Sequence, residues 1–129
     1  MADTGAWRSA VAEARVDDAV FALRPDYCAM LIAVAGLVPG PSDETSEGLL
    51  LVAEAAAREA LNDGPVEDLR HVAAWREAYR AFGAKPQRTR NSLEALLRRA
   101  ISGLPRVNRL TDLYNAVSFS TKSPSVGRT

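Results

Sequence analysis

The sequence predicts an α+β domain: a small mixed β-sheet, started by residues 16–37, with about four helices packed on it. Tyr27 to Leu37, YCAMLIAVAGL, is a nearly continuous apolar run between Pro25 and the Pro39-Gly40-Pro41 cluster, a setting that favours a strand in a hairpin or crossover over a buried helix. Four later segments space their apolar residues by three and four, the repeat of helices that bury one face. At 129 residues and 47% hydrophobic, the chain is most simply one domain, long enough to bury about two-thirds of its unfolded surface.

In chain order, residues 1–15 carry no strong pattern beyond a short helix around Trp7 and the following alanines. VDDAVFALR, residues 16–24, reads as a short strand ended by the Arg24-Pro25-Asp26 turn. The run from Tyr27 to Leu37 is the second strand, with Cys28 packed in the core. Ser42-Asp43-Glu44 opens a helix whose buried face is Leu49, Leu50, Ala53, Ala57, Ala60 and Leu61, and Asn62-Asp63-Gly64-Pro65 stops it. A second helix, from about Val66 to Phe82, has the stripe Leu69, Val72, Trp75, Tyr79 and Phe82, with Gly83 at its end. Asn91 or Ser92 caps a third, with Asn91 and Glu94 at capping-box spacing and an apolar face of Leu93, Leu96, Leu97, Ala100 and Ile101. A fourth, about Arg109 to Phe119, places Leu110, Leu113, Tyr114 and Val117 at helical intervals.

The formal net charge is zero, but it is divided along the chain. Residues 1–69 hold 4 basic and 13 acidic side chains, and residues 70–109 hold 10 basic and only 2 acidic. Two readings of the basic block compete: a patch that receives polyanions, or a set of arginines neutralised by the acidic front half across a packed interface. No apolar run reaches the roughly 18 residues of a membrane span, and the first 20 residues lack the basic end and apolar stretch of a secretory signal. Cys28 is the sole cysteine, which excludes a disulfide framework and a thiolate metal cluster. A cytoplasmic protein with no metal, no cofactor and no membrane partner is expected.

Residues 73–118 read AAWREAYRAFGAKPQRTRNSLEALLRRAISGLPRVNRLTDLYNAVS. The words W-R-E-A-Y-R, F-G-x-K-P, S-x-E-A-L-L-R-R and N-x-x-x-D-x-Y-N-A-V-S, in that order, resemble the solo B3/B4 proteins. Those are free-standing relatives of a domain of the phenylalanyl-tRNA synthetase β chain. FALRPDYCAMLIAVAGL and GPSDETSEGLLLVAEAA look like the opening of the same family, so the likeness covers most of residues 16–118. It divides the chain into an N-terminal segment 1–15, a partial B3/B4 domain 16–118 and a tail 119–129 outside the family pattern.

The resemblance implies tRNA binding, and hydrolysis of tyrosine wrongly attached to phenylalanine tRNA. The family's editing pocket draws on an N-x-x-x-D-x-x-N helix, a His in a following turn and a Glu from later strands. Here the helix part is Asn108, Arg109, Asp112 and Asn115. Structural roles compete for three of them: Asn108 is placed to cap a helix, Asp112 to complement its dipole and Asn115 to bond nearby backbone. Beyond Ser118 the family continues as L-R-H-x-L-P-V-G-G-x-D and further strands, whereas this chain reads FSTKSPSVGRT. With GC-rich codons, a two-base shift of frame from Phe119 yields QHQVPVGRED and restores the pattern, so the tail is expected to be a frameshift product. Loss of the later strands would leave an exposed sheet edge, marginal stability and a tendency to pair with a partner protein or with itself.

Other candidate chemistry is sparse. His71 has no metal-ligand neighbour in sequence, Trp75 and Tyr79 sit on a core stripe, and Ser92 and Ser118 lack a nucleophile-elbow context. No Gly-rich phosphate loop or amino-acid activation motif is present, so the chain is not a ligase by itself. Three functions remain. One is an RNA-binding module, for tRNA or other RNA, using Arg76, Arg80, Lys85, Arg88, Arg90, Arg98, Arg99 and Arg109. Another is a trans-editing deacylase of mischarged aminoacyl-tRNA in a longer, frame-corrected form. The last is an inactive remnant.

Overall fold

A computed structural model describes residues 4–122. The chain divides into two compact units, Met1–Val38 and Pro39–Thr129. The described residues contain six α-helices and two 3-10 turns and no strand, which overturns the expected α+β class and its mixed sheet.

In the first unit, α1 (Thr4–Glu13) is the short helix around Trp7, and α2 (Asp18–Leu23) replaces the first expected strand. Capping outweighs pattern here. The Asp17 carboxylate accepts from the Ala19 N–H at 2.8 Å, Asp18 sits in the first turn, and only Val20 among the six residues is β-branched. The second expected strand, residues 27–37, has no regular structure. Its Met30, Ile32 and Val34 are 83, 73 and 62% exposed, and Cys28, expected in the core, is exposed as well. An apolar run becomes a strand only when another strand accepts its backbone groups, and none does so among the described residues. The expected partner-seeking sheet edge therefore has no sheet to belong to.

The second unit is built on α3 (Glu44–Ala60), α4 (Arg70–Ala81), α5 (Ser92–Ala100) and α6 (Arg109–Thr121), with 3-10 turns at Leu61–Asp63 and Val66–Asp68. α3 starts where the sequence places it. Asp43 and Ser46 form a reciprocal capping box, with Asp43 Oδ1 accepting from the Ser46 N–H and Ser46 Oγ from the Asp43 N–H, both at 2.9 Å. The expected second helix is shorter than its stripe: Leu69 precedes α4 without a side-chain cap, and Phe82 is half exposed after it. Gly83 follows the C-cap Phe82 of α4, and its φ of 83° lies in the left-handed region that glycine adopts without strain.

The core joins Leu50, Ala53 and Ala57 of α3 to Val66, Val72, Leu93, Leu97, Ala100, Leu104, Ala116 and Phe119. Leu50, Val72 and Leu93 are at most 1% exposed, and each such side chain contributes roughly 2 kcal/mol by leaving water. Two expected faces are corrected. Leu49 and Ile101 point outward, 43 and 63% exposed. In α6 the buried stripe is Asp112, Ala116 and Phe119, while Leu110, Leu113 and Tyr114 are half-buried and Val117 is exposed. Phe119, the first residue of the tail, thus belongs to the core, and residues 123–129 of that tail lie outside the described residues.

Candidate nucleic-acid interface

The four residues expected to form a pocket are mostly engaged in holding α6. Asn108 is its N-cap, its Oδ1 accepting from the Thr111 N–H at 2.8 Å. Asp112 is fully buried; its Oδ2 accepts from Ser42 Oγ at 2.5 Å and its Oδ1 from the Val107 N–H at 2.9 Å. It thereby ties the entrance of α6 to the loop before α3. Arg109 donates its backbone N–H to the Gly40 carbonyl, lays its guanidinium beside Gly40 and lies 3.7 Å from the Asp43 carboxylate. Asn115 is half-buried and its side chain makes no hydrogen bond to a described residue.

The basic block separates into two groups. Arg76 and Arg98 converge on Glu94, which is fully buried on α5. Arg76 Nη2 donates to Glu94 Oε1 at 2.8 Å and Arg98 Nη2 to the same oxygen at 2.9 Å, and Arg98 also reaches Glu67 at 3.1 Å. Arg90 approaches Glu94 more loosely, at 3.8 Å. Burial pushes the Glu94 carboxyl up, but the Arg76 and Arg98 hydrogen bonds overcome it and hold it below the usual glutamate value. Arg106, absent from the expected set, is also engaged by carboxylates. It donates to both Glu47 oxygens at 2.8 and 2.9 Å, to Glu54 and to the Leu104 carbonyl. Its signal in the sequence is the pair Glu47 and Glu54, seven apart and so on one face of α3.

Of the eight cations expected to contact RNA, Arg80, Lys85, Arg88 and Arg99 form the other group. All four are exposed, and none makes an ion pair or hydrogen bond through its side chain among the described residues. Three of them border one ordered turn. The Ala84 N–H closes onto Tyr79 O at 2.9 Å, the Arg88 and Thr89 N–H groups both reach Lys85 O at 2.9 Å, and Pro86 is buried beneath. From Arg80 to Arg90 there is no acidic residue. Trp75 and Tyr79, on the preceding helix, are half-buried and pack edge to face with ring centroids 6.2 Å apart, which leaves them a packing role.

The carboxylates set an acid limit on stability. Arg106 holds Glu54 and Glu47 below the ordinary glutamate value, and Glu94 is lowered by its own arginines. A lowered folded value means the unfolded chain binds protons first. These contributions are complete above the unfolded glutamate value of about 4.3 and are lost as pH falls through the lower folded values. Urea midpoints followed by circular dichroism are expected to be level from pH 7 to about 5.5 and to drop below about 4.3. Arg106→Ala is expected to flatten that drop.

A cavity of about 560 Å³ lies between the end of α3, the start of α4, α5 and the end of α6, floored by Val72, Leu93, Leu97 and Phe119 and edged by Arg70, His71 and Lys122. None of Asn108, Arg109, Asp112 and Asn115 lines it. His71 is exposed at this edge, and Ser92 and Ser118 are not joined to it or to any acid–base pair: Ser118 Oγ donates to Tyr114 O at 3.3 Å, and Ser92 Oγ is buried without a hydrogen-bond partner. Among the described residues no three His, Cys, Asp or Glu side chains gather as metal ligands, and no helix is long and apolar enough to cross a membrane. No family model, no curated protein and no solved structure matches this chain.

Proposed function

We propose that the chain is an RNA-binding module, with tRNA as the expected ligand and the cytoplasm as its location. The observation that supports this reading is the acid-free turn from Arg80 to Arg90, whose Lys85 and Arg88, with Arg80 beside them, are exposed and without carboxylate partners. A phosphate backbone is recognised by cations held at fixed spacing, and each one engaged releases a counterion from the polyanion. Buried proline and three backbone hydrogen bonds hold this turn before any ligand arrives. Arg99, at the end of α5, is a further exposed cation.

The contact set is smaller than the eight residues expected from sequence. Arg76, Arg98 and Arg109 are engaged by Glu94, Glu67 and Asp43, and Arg90 is drawn toward Glu94. Binding is favoured over deacylation because Asn108 and Asp112 are consumed in capping and anchoring α6, leaving Asn115 as the one uncommitted polar group of that set. An ester and a water need more than one fixed group to hold them.

Fluorescence anisotropy with labelled tRNA across a salt series tests the reading. Affinity is expected to fall steeply with salt, and Arg80→Ala, Lys85→Ala, Arg88→Ala and Arg99→Ala are each expected to lower the log–log slope by about 1 without altering the fold. Binding that is insensitive to salt, or unchanged in the quadruple variant, would sink it.

A further inference from the structure

The outward face of α3 is more apolar than a solvated helix requires. Leu51 and Val52 are 53 and 68% exposed, and a helix with apolar residues on both faces ordinarily has both covered. Along that face Glu44, Gly48, Leu51, Ala55 and Arg58 follow at steps of four, three, four and three, the repeat of a helix–helix seam. All five are exposed. Gly48 is the telling position. Glycine inside a helix costs about 1 kcal/mol relative to alanine, and a Cβ built there meets nothing within 4 Å, so the chain's own packing gives no reason for it. A second helix backbone approaching at Gly48 would.

We propose that α3 pairs with α3 of a second copy, antiparallel about a two-fold axis near Leu51. The seam carries its own complement. Glu44 stands at one end and Arg58 at the other, about 21 Å apart along the helix at 1.5 Å per residue, and neither makes an ion pair among the described residues. Antiparallel pairing sets Glu44 of each copy against Arg58 of the other, Gly48 against Ala55, and Leu51 against Leu51. A parallel pair would instead set like charges together at both ends. The seam has five residues where a standard interface has about 20–30 on each side, so association in the micromolar range is expected.

Sedimentation velocity on the full chain from about 1 to 200 µM, a range that brackets micromolar dissociation constants, is the test. A monomer–dimer equilibrium is expected, and Leu51→Glu is expected to weaken it by at least about tenfold while leaving the helical circular dichroism unchanged. Should Leu51→Glu fail to fold, the exposed charges decide. Glu44→Arg and Arg58→Glu each weaken the dimer, and the double exchange E44R/R58E restores it. A chain that stays monomeric throughout overturns the proposal. So do single exchanges without effect, a double exchange that does not recover, and assemblies larger than a dimer that persist in Leu51→Glu.

Discussion

Glu94→Gln is expected to destabilise the second unit by about 3–5 kcal/mol, because it removes the shared counter-ion of two arginines while keeping the side-chain volume. Glu94 is fully buried; its Oε1 accepts from Arg76 Nη2, Arg98 Nη2 and Arg98 Nε at 2.8, 2.9 and 3.1 Å, and Arg76 Nε reaches both carboxylate oxygens at 3.2 Å. An amide keeps one acceptor oxygen and turns a donor toward the guanidinium groups. Arg76, with only 12% of its side chain exposed, then has little water to replace the lost charge. A fall in melting temperature of at least about 10 °C is the expected readout for a unit of this size. Arg80→Ala, by contrast, removes an exposed cation without partners and is expected to change stability by less than about 0.5 kcal/mol. A Glu94→Gln protein that melts with the parent would show the three-residue cluster to be geometry without energy. The same variant leaves Arg98 with Glu67 as its remaining carboxylate and Arg76 without a hydrogen-bonded one.

Where the sequence was legible, the cause was local chemistry. The start of α3 needs only Asp43 and the N–H groups of the next turn, so the helix begins where its cap places it, whereas it ends at Ala60 and the chain passes through the 3-10 turn Leu61–Asp63 before it reaches Gly64 and Pro65. α5 starts at Asn91 as its capping spacing suggests, with Asn91 Oδ1 accepting from the Glu94 N–H at 2.9 Å. The Glu94 side chain departs from a capping box, though, because Arg76 of α4 and Arg98, one turn further along α5, compete for its oxygens. The sheet was not legible, since a strand is a property of two segments and Tyr27–Leu37 supplies one. α6 shows a different failure. Its apolar repeat Leu110, Leu113, Tyr114 and Val117 is genuine, but the core takes the opposite side, where Ala116 and Phe119 flank a carboxylate. Periodicity marks a face without telling which neighbour will cover it. Charge counting had the same limit: ten basic residues in a block of forty do not reveal that Arg106 and Arg109 are turned to the acidic front half, while Arg80, Lys85 and Arg88 are not.

Asp112→Asn separates a structural carboxylate from a chemical one. The residue has no exposed surface, and each oxygen has one donor, the Ser42 hydroxyl on one side and the Val107 N–H on the other. Asparagine keeps one acceptor oxygen and puts a donor in place of the other. Its oxygen can serve the Val107 N–H, which has no alternative, while its amide then faces Ser42, whose hydroxyl can rotate to accept. That arrangement exchanges a charge-assisted bond for a neutral one and loses about 1–2 kcal/mol. Asp112→Ala leaves the Val107 N–H unpaired beside a void and is expected to cost about 3 kcal/mol or more. Ser42→Ala removes one donor and is expected to fall near Asp112→Asn. Because both substitutions act on the same bond, their effects are expected to combine to less than their sum in a double-mutant cycle read by urea unfolding. A chemical role predicts the opposite pattern. Asp112→Asn would then abolish deacylation of tyrosyl-tRNA at unchanged stability, and Ser42→Ala would be silent. The geometry favours the first pattern, since a carboxylate closed off from solvent and held by two protein donors has no face to offer a substrate.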